Sequence, residues 1–147
     1  LSSLGLKPLS PCKRITRTVI ASWYPFLKDE EMIAIIRLKQ IYVGENLYLI
    51  SINDDLHQLL RKVGPNMVGL WTAADPIRIK KILDYNDITN YTYIRFSDKS
   101  QDDICHGIQE FCHVFHCEKN QLCFYEDDKN VISLLKSHNV QVVEVLA

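Results

Sequence analysis

Short apolar segments alternate with amphipathic helical segments from residue 53 to the end of the chain, and this alternation constrains the fold more than any other feature. The last repeat is the clearest, because it predicts a strand over Leu122–Tyr125, a helix to about His138 and a strand over Val140–Leu146. Two strands that are joined through a helix usually lie parallel in one sheet, with the helix on one face. The alternation therefore predicts a single three-layer α/β domain, with a parallel sheet and helices on both of its faces.

The earlier elements of the alternating region begin and end at residues that favour helix termini. Asn53 is a predicted N-cap for a helix that reaches about Val63 and ends at Gly64. Asp75 and Pro76 predict the start of the next helix. Strands over 67–71 and 91–96, each rich in apolar residues, and a helix over 101–115 complete the region.

The N-terminal third of the chain follows a different pattern. Residues 1–14 contain two prolines and three serines without an apolar period, which predicts an extended arm. Residues 15–21 are rich in β-branched side chains and predict a strand, after which Pro25 forces a turn. The apolar residues of 33–52, with a turn signal at Gly44, predict a β-hairpin flap.

Length and composition fit one globular domain over residues 15–147, behind the arm of residues 1–14. The formal net charge of −1 makes nucleic acid an unlikely partner and gives no general attraction to anionic membranes. No apolar run approaches the ~20 residues of a membrane span. Five cysteines without a close CxxC pair favour free thiols in the reducing interior of a cell, so we expect an intracellular, cytoplasmic protein.

Three consecutive acids, Glu126, Asp127 and Asp128, follow the predicted strand near the C-terminus. Acidic groups at the carboxyl end of a strand stand where open α/β sheets bind ligands. Carboxylates at such a position commonly hold a divalent cation such as magnesium. Alternatively, Asp127 or Asp128 caps the helix that follows, and both interpretations remain open.

Four segments in this order make the chain similar to a known family. They are Trp23-Tyr24-Pro25-Phe26, the strand and hydroxyl of Val68–Ala74, Lys99, and Phe124–Asp127. The chain resembles the haloacid-dehalogenase-like (HAD-like) superfamily, and within it the magnesium-dependent phosphatase and FCP-type branch. That resemblance implies a Rossmann-like sheet with a small flap and no large cap.

The resemblance also implies a chemistry and a set of residues. In this family a strand-end aspartate attacks phosphorus and a second aspartate acts as acid and base. The matching residues of this chain would be Thr72 and Lys99 for the phosphoryl group, and Glu126 and Asp127 for magnesium. A carboxylate nucleophile divides the displacement into two easier steps, while cations neutralise the phosphoryl charge.

The nucleophile motif of the family is missing. Residues 15–27 contain no Asp or Glu. In one alignment Ser22 and Tyr24 replace the two aspartates, and in another Thr18 and Ile20 replace them. Loss of a covalent nucleophile commonly lowers turnover by ~10⁴ to 10⁶. We therefore expect no catalytic residues, at most weak magnesium binding, and a degenerate HAD-like domain; the alternative is a magnesium-dependent phosphatase with a rearranged nucleophile.

The aromatic residues Trp23, Tyr24 and Phe26 suggest what such a domain does instead. Together with the apolar flap they would form a patch of the kind that marks protein interfaces. We expect a protein partner that binds there, in an assembly or within a larger protein. Burial of the three side chains beneath the flap is the alternative.

A cysteine- and histidine-rich segment offers a further hypothesis. Cys112, His116, Cys117 and Cys123 could converge on zinc if the helix over 101–115 ends near Phe115. The alternative is that the cysteines are small core residues.

Overall fold

The computed structural model describes residues 17–50 and 53–146. The predicted extended arm of residues 1–14 lies outside the described residues, as does the start of the predicted first strand. The chain divides into two compact units, Leu1–Leu49 and Ile50–Ala147.

The first unit is helical in its described part. It contains α1 (Arg17–Trp23), α2 (Asp29–Glu45) and a short 3-10 turn over Leu47–Leu49. Ile20 of α1 and the pair Met32 and Ile35 of α2 form its buried core. Half-buried apolar side chains surround this core, namely Tyr24, Leu27 and Ile36.

Both β-predictions for this unit are wrong in its described part. The segment that was expected to form the first strand is α1, and the expected β-hairpin flap is the 17-residue helix α2. The backbone N–H of Lys28 donates to Glu31 Oε1 over 3.2 Å, and three acids in the first turn favour the positive end of the helix. Helical spacing of the buried side chains and these terminal interactions outweigh the β-propensity of the isoleucines.

The second unit contains the predicted alternation of helices and strands. Its elements are α3 (Asp54–Lys62), β1 (Gly69–Thr72), α4 (Pro76–Tyr85), β2 (Tyr93–Phe96), α5 (Gln101–Phe115), β3 (Cys123–Glu126), α6 (Lys129–Ser137) and β4 (Gln141–Glu144). Short 3-10 turns cover Pro65–Met67 and Lys119–Gln121. The predicted caps are confirmed, since Asn53 accepts from Leu56 N over 2.9 Å and Asp75 accepts from Ile77 N over 2.9 Å.

The four strands form two parallel pairs. β1 pairs with β2 from Gly69↔Tyr93 to Thr72↔Phe96, and β3 pairs with β4 from Cys123↔Gln141 to Glu126↔Glu144. Within the described ranges these are two sheets of two strands each, where one continuous sheet was expected. Mixed α/β structure with parallel strands is therefore confirmed, whereas the three-layer sheet stays a prediction.

Helix α5 packs against both strand pairs and carries the core of the second unit. Ile104 and Ile108 of α5 are buried with Leu135 of α6. Burial of each such side chain contributes roughly 1.5–3 kcal/mol. Trp71 of β1 and Phe124 of β3 pack on the same cluster, and their rings lie 6.1 Å apart. α5 thus holds the ends of β1 and β3 next to each other.

None of the helices in the described part of the chain has the length and apolar character needed to cross a lipid bilayer.

Candidate functional site

A buried ion pair joins Lys99 and Glu126, two residues for which the sequence predicted separate roles. Lys99 Nζ lies 2.6 Å from Glu126 Oε2, and the two side chains are 14% and 7% exposed. Glu126 is the last residue of β3, and Lys99 follows the end of β2. The carboxyl ends of β2 and β3, which belong to different strand pairs, therefore supply opposite charges to one place.

The backbone at Lys99 has a left-handed conformation, with φ of 56°. Residues other than glycine adopt this region at a cost of order 1–2 kcal/mol. The side chain of Asp98 accepts from Ser100 N over 3.1 Å and supports the turn from β2 into α5. The ion pair with Glu126 offsets the conformational cost at Lys99.

Glu126 also accepts two backbone hydrogen bonds. Its Oε1 atom lies 2.9 Å from the N–H nitrogen of Asp127 and 3.0 Å from that of Asp128. Burial by itself would raise the pKa of the Glu126 carboxyl, but the hydrogen bonds from Lys99 and Asp128 outweigh this effect and lower the pKa to about 2. The carboxylate is therefore charged, and each of its oxygens accepts at least one hydrogen bond.

The residues at this strand end do not fit a magnesium ion in the observed arrangement. Magnesium requires near-octahedral oxygen coordination, and the two oxygens of Glu126 already accept three hydrogen bonds. Asp128 caps α6 by accepting from Asn130 N and Val131 N, which confirms the capping interpretation for that residue. Among the residues that the structure describes, no group of three or more His, Cys, Asp or Glu side chains could hold a metal.

A small cavity of about 70 Å³ lies beside the ion pair. Pockets for small molecules usually measure about 300–1,000 Å³, so this cavity has room for a few waters only. Its charged lining groups, Lys99 and Glu126, neutralise each other. The remaining lining side chains are aromatic or apolar, and they are Trp71, Phe111, Phe124, Tyr125, Val131 and Leu135.

Thr72 shares the carboxyl edge of the strands but does not line this cavity. It is the last residue of β1, and its hydroxyl accepts from Ala74 N over 3.0 Å. Its carbonyl oxygen accepts from Ser97 N. The structure therefore places Thr72 at the expected strand end, with its hydroxyl engaged in a local turn.

The predicted interface residues lie in the first unit and differ in exposure. Phe26 is 94% exposed, whereas Trp23 and Tyr24 are half-buried and Tyr24 packs on the core of that unit. Exposed apolar side chains that the sequence did not indicate are Ile41 (55%), Tyr42 (63%) and Tyr48 (68%).

A polar network between β2 and α5 was not predicted. The Arg95 guanidinium donates to Asp103 and Glu110, and Tyr93 donates to Glu110 over 2.6 Å. Hydrogen bonds from Tyr93 and Arg95 lower the pKa of the Glu110 carboxyl. The sequence spacing could have indicated this network. Tyr93 and Arg95 are two residues apart and share one face of the strand, and Asp103 and Glu110 are seven residues apart and share one face of the helix. The network fixes α5 on β2, and none of these four residues lines the cavity.

The hypothetical zinc site is not assembled. α5 ends at Phe115, as the hypothesis required, and Cys112 and Cys117 approach each other there. Cys123 lies on β3 with an exposed side chain, and the described ranges contain no cluster of three metal-binding side chains around it.

In comparisons with known proteins, no protein-family model, no curated protein and no solved structure matched the chain.

Proposed function

We propose that the chain contains a degenerate HAD-like domain without phosphoryl-transfer activity and acts as a protein-binding or assembly module. The observation that carries this proposal is the buried pair of Lys99 and Glu126, whose charges are 2.6 Å apart. These residues would need to face a phosphate and a metal in an active member of the family, and here they face each other.

The energy of this pair argues against ligand binding at the site. An anion that draws the Lys99 ammonium away from Glu126 leaves a buried carboxylate without its partner. Breaking a buried pair in this way typically costs about 3–5 kcal/mol. The same cost weakens the affinity for an incoming anion roughly 10²- to 10³-fold.

The likeness to the HAD-like family is supported by where the matching residues lie, at the ends of strands, and not by a complete set of catalytic groups. Thr72 and Glu126 end parallel strands, and Lys99 follows the end of a third. The segment expected to carry the nucleophile contains no acid, and its described residues form α1 instead of a strand. Absence of catalysis therefore rests on the neutralised pair and on a cavity whose lining includes no carboxylate other than that of Glu126.

Exposed aromatic and aliphatic side chains of the first unit support binding of a protein. Phe26, Tyr42 and Tyr48 are each more than 60% exposed, and Ile41 is 55% exposed. A helix that carries apolar residues on all sides, as α2 does, is usually covered. Aromatic residues are enriched in protein interfaces, so a protein partner fits this surface chemistry.

Hydrolysis of a small phosphate ester, p-nitrophenyl phosphate, in saturating magnesium tests the catalytic half of the proposal. We expect the rate of the wild-type chain to equal that of the matched variant Asp127→Asn. A magnesium-dependent rate that disappears in Asp127→Asn would instead establish the alternative, a phosphatase with a rearranged nucleophile.

Photo-crosslinking tests the binding half. A photoreactive phenylalanine analogue at position 26 should give one discrete adduct with a protein in cells. The same analogue at Lys129, an exposed residue of α6, serves as the control and should give none. Identical adduct patterns from the two positions, or no adduct from position 26, contradict the proposal.

A further inference from the structure

The C-terminal end of α5 brings two cysteines together. His116 follows the last helical residue in the left-handed conformation, with φ of 51° and ψ of 46°. The N–H of Cys117 donates to the carbonyl oxygen of Cys112 over 3.0 Å. This is the 6→1 hydrogen bond of a Schellman motif, which places the side chains at its two ends in contact.

The two thiols lie within reach of a disulfide. Standard bond lengths and the 3.0 Å hydrogen bond keep the Cα atoms of Cys112 and Cys117 at most about 7 Å apart, the upper limit for a disulfide. Formation of a disulfide therefore needs only a closer approach of the sulfur atoms and no rearrangement of the helix.

The surroundings of the pair distinguish its two members. Cys112 packs against the core of the second unit, and Cys117 is half-buried. Burial, with smaller contributions from Cys117, raises the pKa of the Cys112 thiol, while the Lys119 ammonium opposes this effect. Cys112 packs on the core cluster and Cys117 is not part of it, so we assign the first attack on an oxidant to Cys117.

We propose that Cys112 and Cys117 are a redox-active dithiol, which small disulfides such as glutathione disulfide oxidise to an intramolecular disulfide. The new bond fastens the end of α5 to the segment that leads into β3. This site is separate from Lys99 and Glu126 and does not depend on the function proposed above.

The reaction consists of two thiol–disulfide exchanges. The Cys117 thiolate attacks one sulfur of glutathione disulfide, breaks its S–S bond and releases one glutathione thiolate. The Cys112 thiolate then attacks the Cys117 sulfur of the mixed disulfide and releases the second glutathione. The two cysteines lose two electrons and two protons, and glutathione disulfide is reduced to two glutathione molecules.

Equilibration of the wild-type chain in glutathione redox buffers, followed by alkylation and mass spectrometry, tests the proposal. Chymotrypsin cleaves after Phe111 and Phe115 and, in an extended digest, after Leu122, so the expected disulfide links the peptides 112–115 and 116–122. An intramolecular thiol acts at an effective concentration of millimolar or more. We therefore expect half-oxidation of the pair at a glutathione disulfide concentration at least about tenfold below that which modifies half of Cys105 or Cys123.

Cys105 and Cys123 are matched controls in the same sample, because both are exposed and neither belongs to the pair. In Cys112→Ser the mixed disulfide should accumulate on Cys117, whereas in Cys117→Ser Cys112 should remain a thiol. Recovery of both pair members as thiols or as separate glutathione adducts overturns the proposal. So does modification of Cys105 and Cys123 at the same glutathione disulfide concentration as the pair.

Discussion

The ion pair of Lys99 and Glu126 is held by more than its two charges. Glu126 also accepts from two backbone N–H groups, and the left-handed backbone at Lys99 directs its side chain to the pair. With both side chains largely buried, removal of one partner leaves the other without compensation. The pair should therefore behave as one unit when it is changed.

A double-mutant cycle measures this coupling. We expect Glu126→Gln and Lys99→Met each to lower the free energy of unfolding by about 3–5 kcal/mol at pH 7. The double variant should lose less than the sum, with a coupling of about 1–3 kcal/mol. Urea unfolding gives these values, and Glu144→Gln, at an exposed position of β4, is a control expected to lie within about 0.5 kcal/mol of wild type. Additive losses would show that the two residues act independently.

The lowered pKa of Glu126 predicts a dependence of stability on pH. The carboxyl titrates at about 2 in the folded chain and near 4.3 when unfolded, so the unfolded state binds the proton first as pH falls. The stabilisation is fully present above about pH 5 and is lost as pH falls towards 2. The difference in unfolding free energy between wild type and Glu126→Gln should therefore shrink from pH 7 to pH 3. A difference that stays constant over this range contradicts the assignment.

Sequence reasoning found the members of the pair but not their contact. Both residues were placed at carboxyl ends of strands, and Glu126 does end β3. Their contact depends on the turn at Lys99 and on the packing of segments that lie far apart along the chain. Neither propensity nor spacing carries that information.

Helix α5 approaches the Trp71 side chain of β1 very closely at Gly107. A Cβ atom added at Gly107 would lie 2.0 Å from the ring of Trp71. That ring is held in place by a 2.6 Å hydrogen bond from its Nε1 to Ser97 Oγ and by packing against Phe111. The helix can approach β1 this closely only because residue 107 has no side chain.

Substitutions of two glycines should therefore have opposite effects. Gly107→Ala forces the ring of Trp71 away, and we expect it to lower the free energy of unfolding by about 1–3 kcal/mol, despite the higher helix propensity of alanine. Gly64 has open space around its Cβ position, so Gly64→Ala should be neutral or stabilising by up to about 1 kcal/mol. Chemical unfolding compares the two, and a neutral Gly107→Ala would show that α5 is not closely packed.

The elements of the second unit were predictable because caps and periodicity agree there. Asn53 and Asp75 begin helices as expected, and the buried side chains of α5 recur at helical spacing. In the first unit the residue propensities and the tertiary contacts favour different structures. The isoleucines of α2 favour strands locally, but the acidic first turn and the contact of Met32 and Ile35 with Ile20 stabilise a helix.

At the scale of the whole molecule, the two units have different characters. The second has parallel strands, a neutralised strand-end pair and a cavity of about 70 Å³. The first is helical and exposes several large apolar side chains. Catalysis would require a ligand to enter the cavity of the second unit. Binding of a protein requires only the exposed apolar surface of the first unit. The sequence predicted the parallel strands but left the exposure of Phe26 open, and the size of the cavity depends on packing alone.

Calorimetric titration of the wild-type chain with magnesium at pH 7 tests most directly whether Lys99 takes the place of a metal beside Glu126. We predict no binding at millimolar magnesium, because Lys99 offsets the charge of Glu126 and both of its oxygens already accept hydrogen bonds. Submillimolar binding by the wild-type chain that is lost in Glu126→Gln would contradict this prediction and restore the strand end as a metal site.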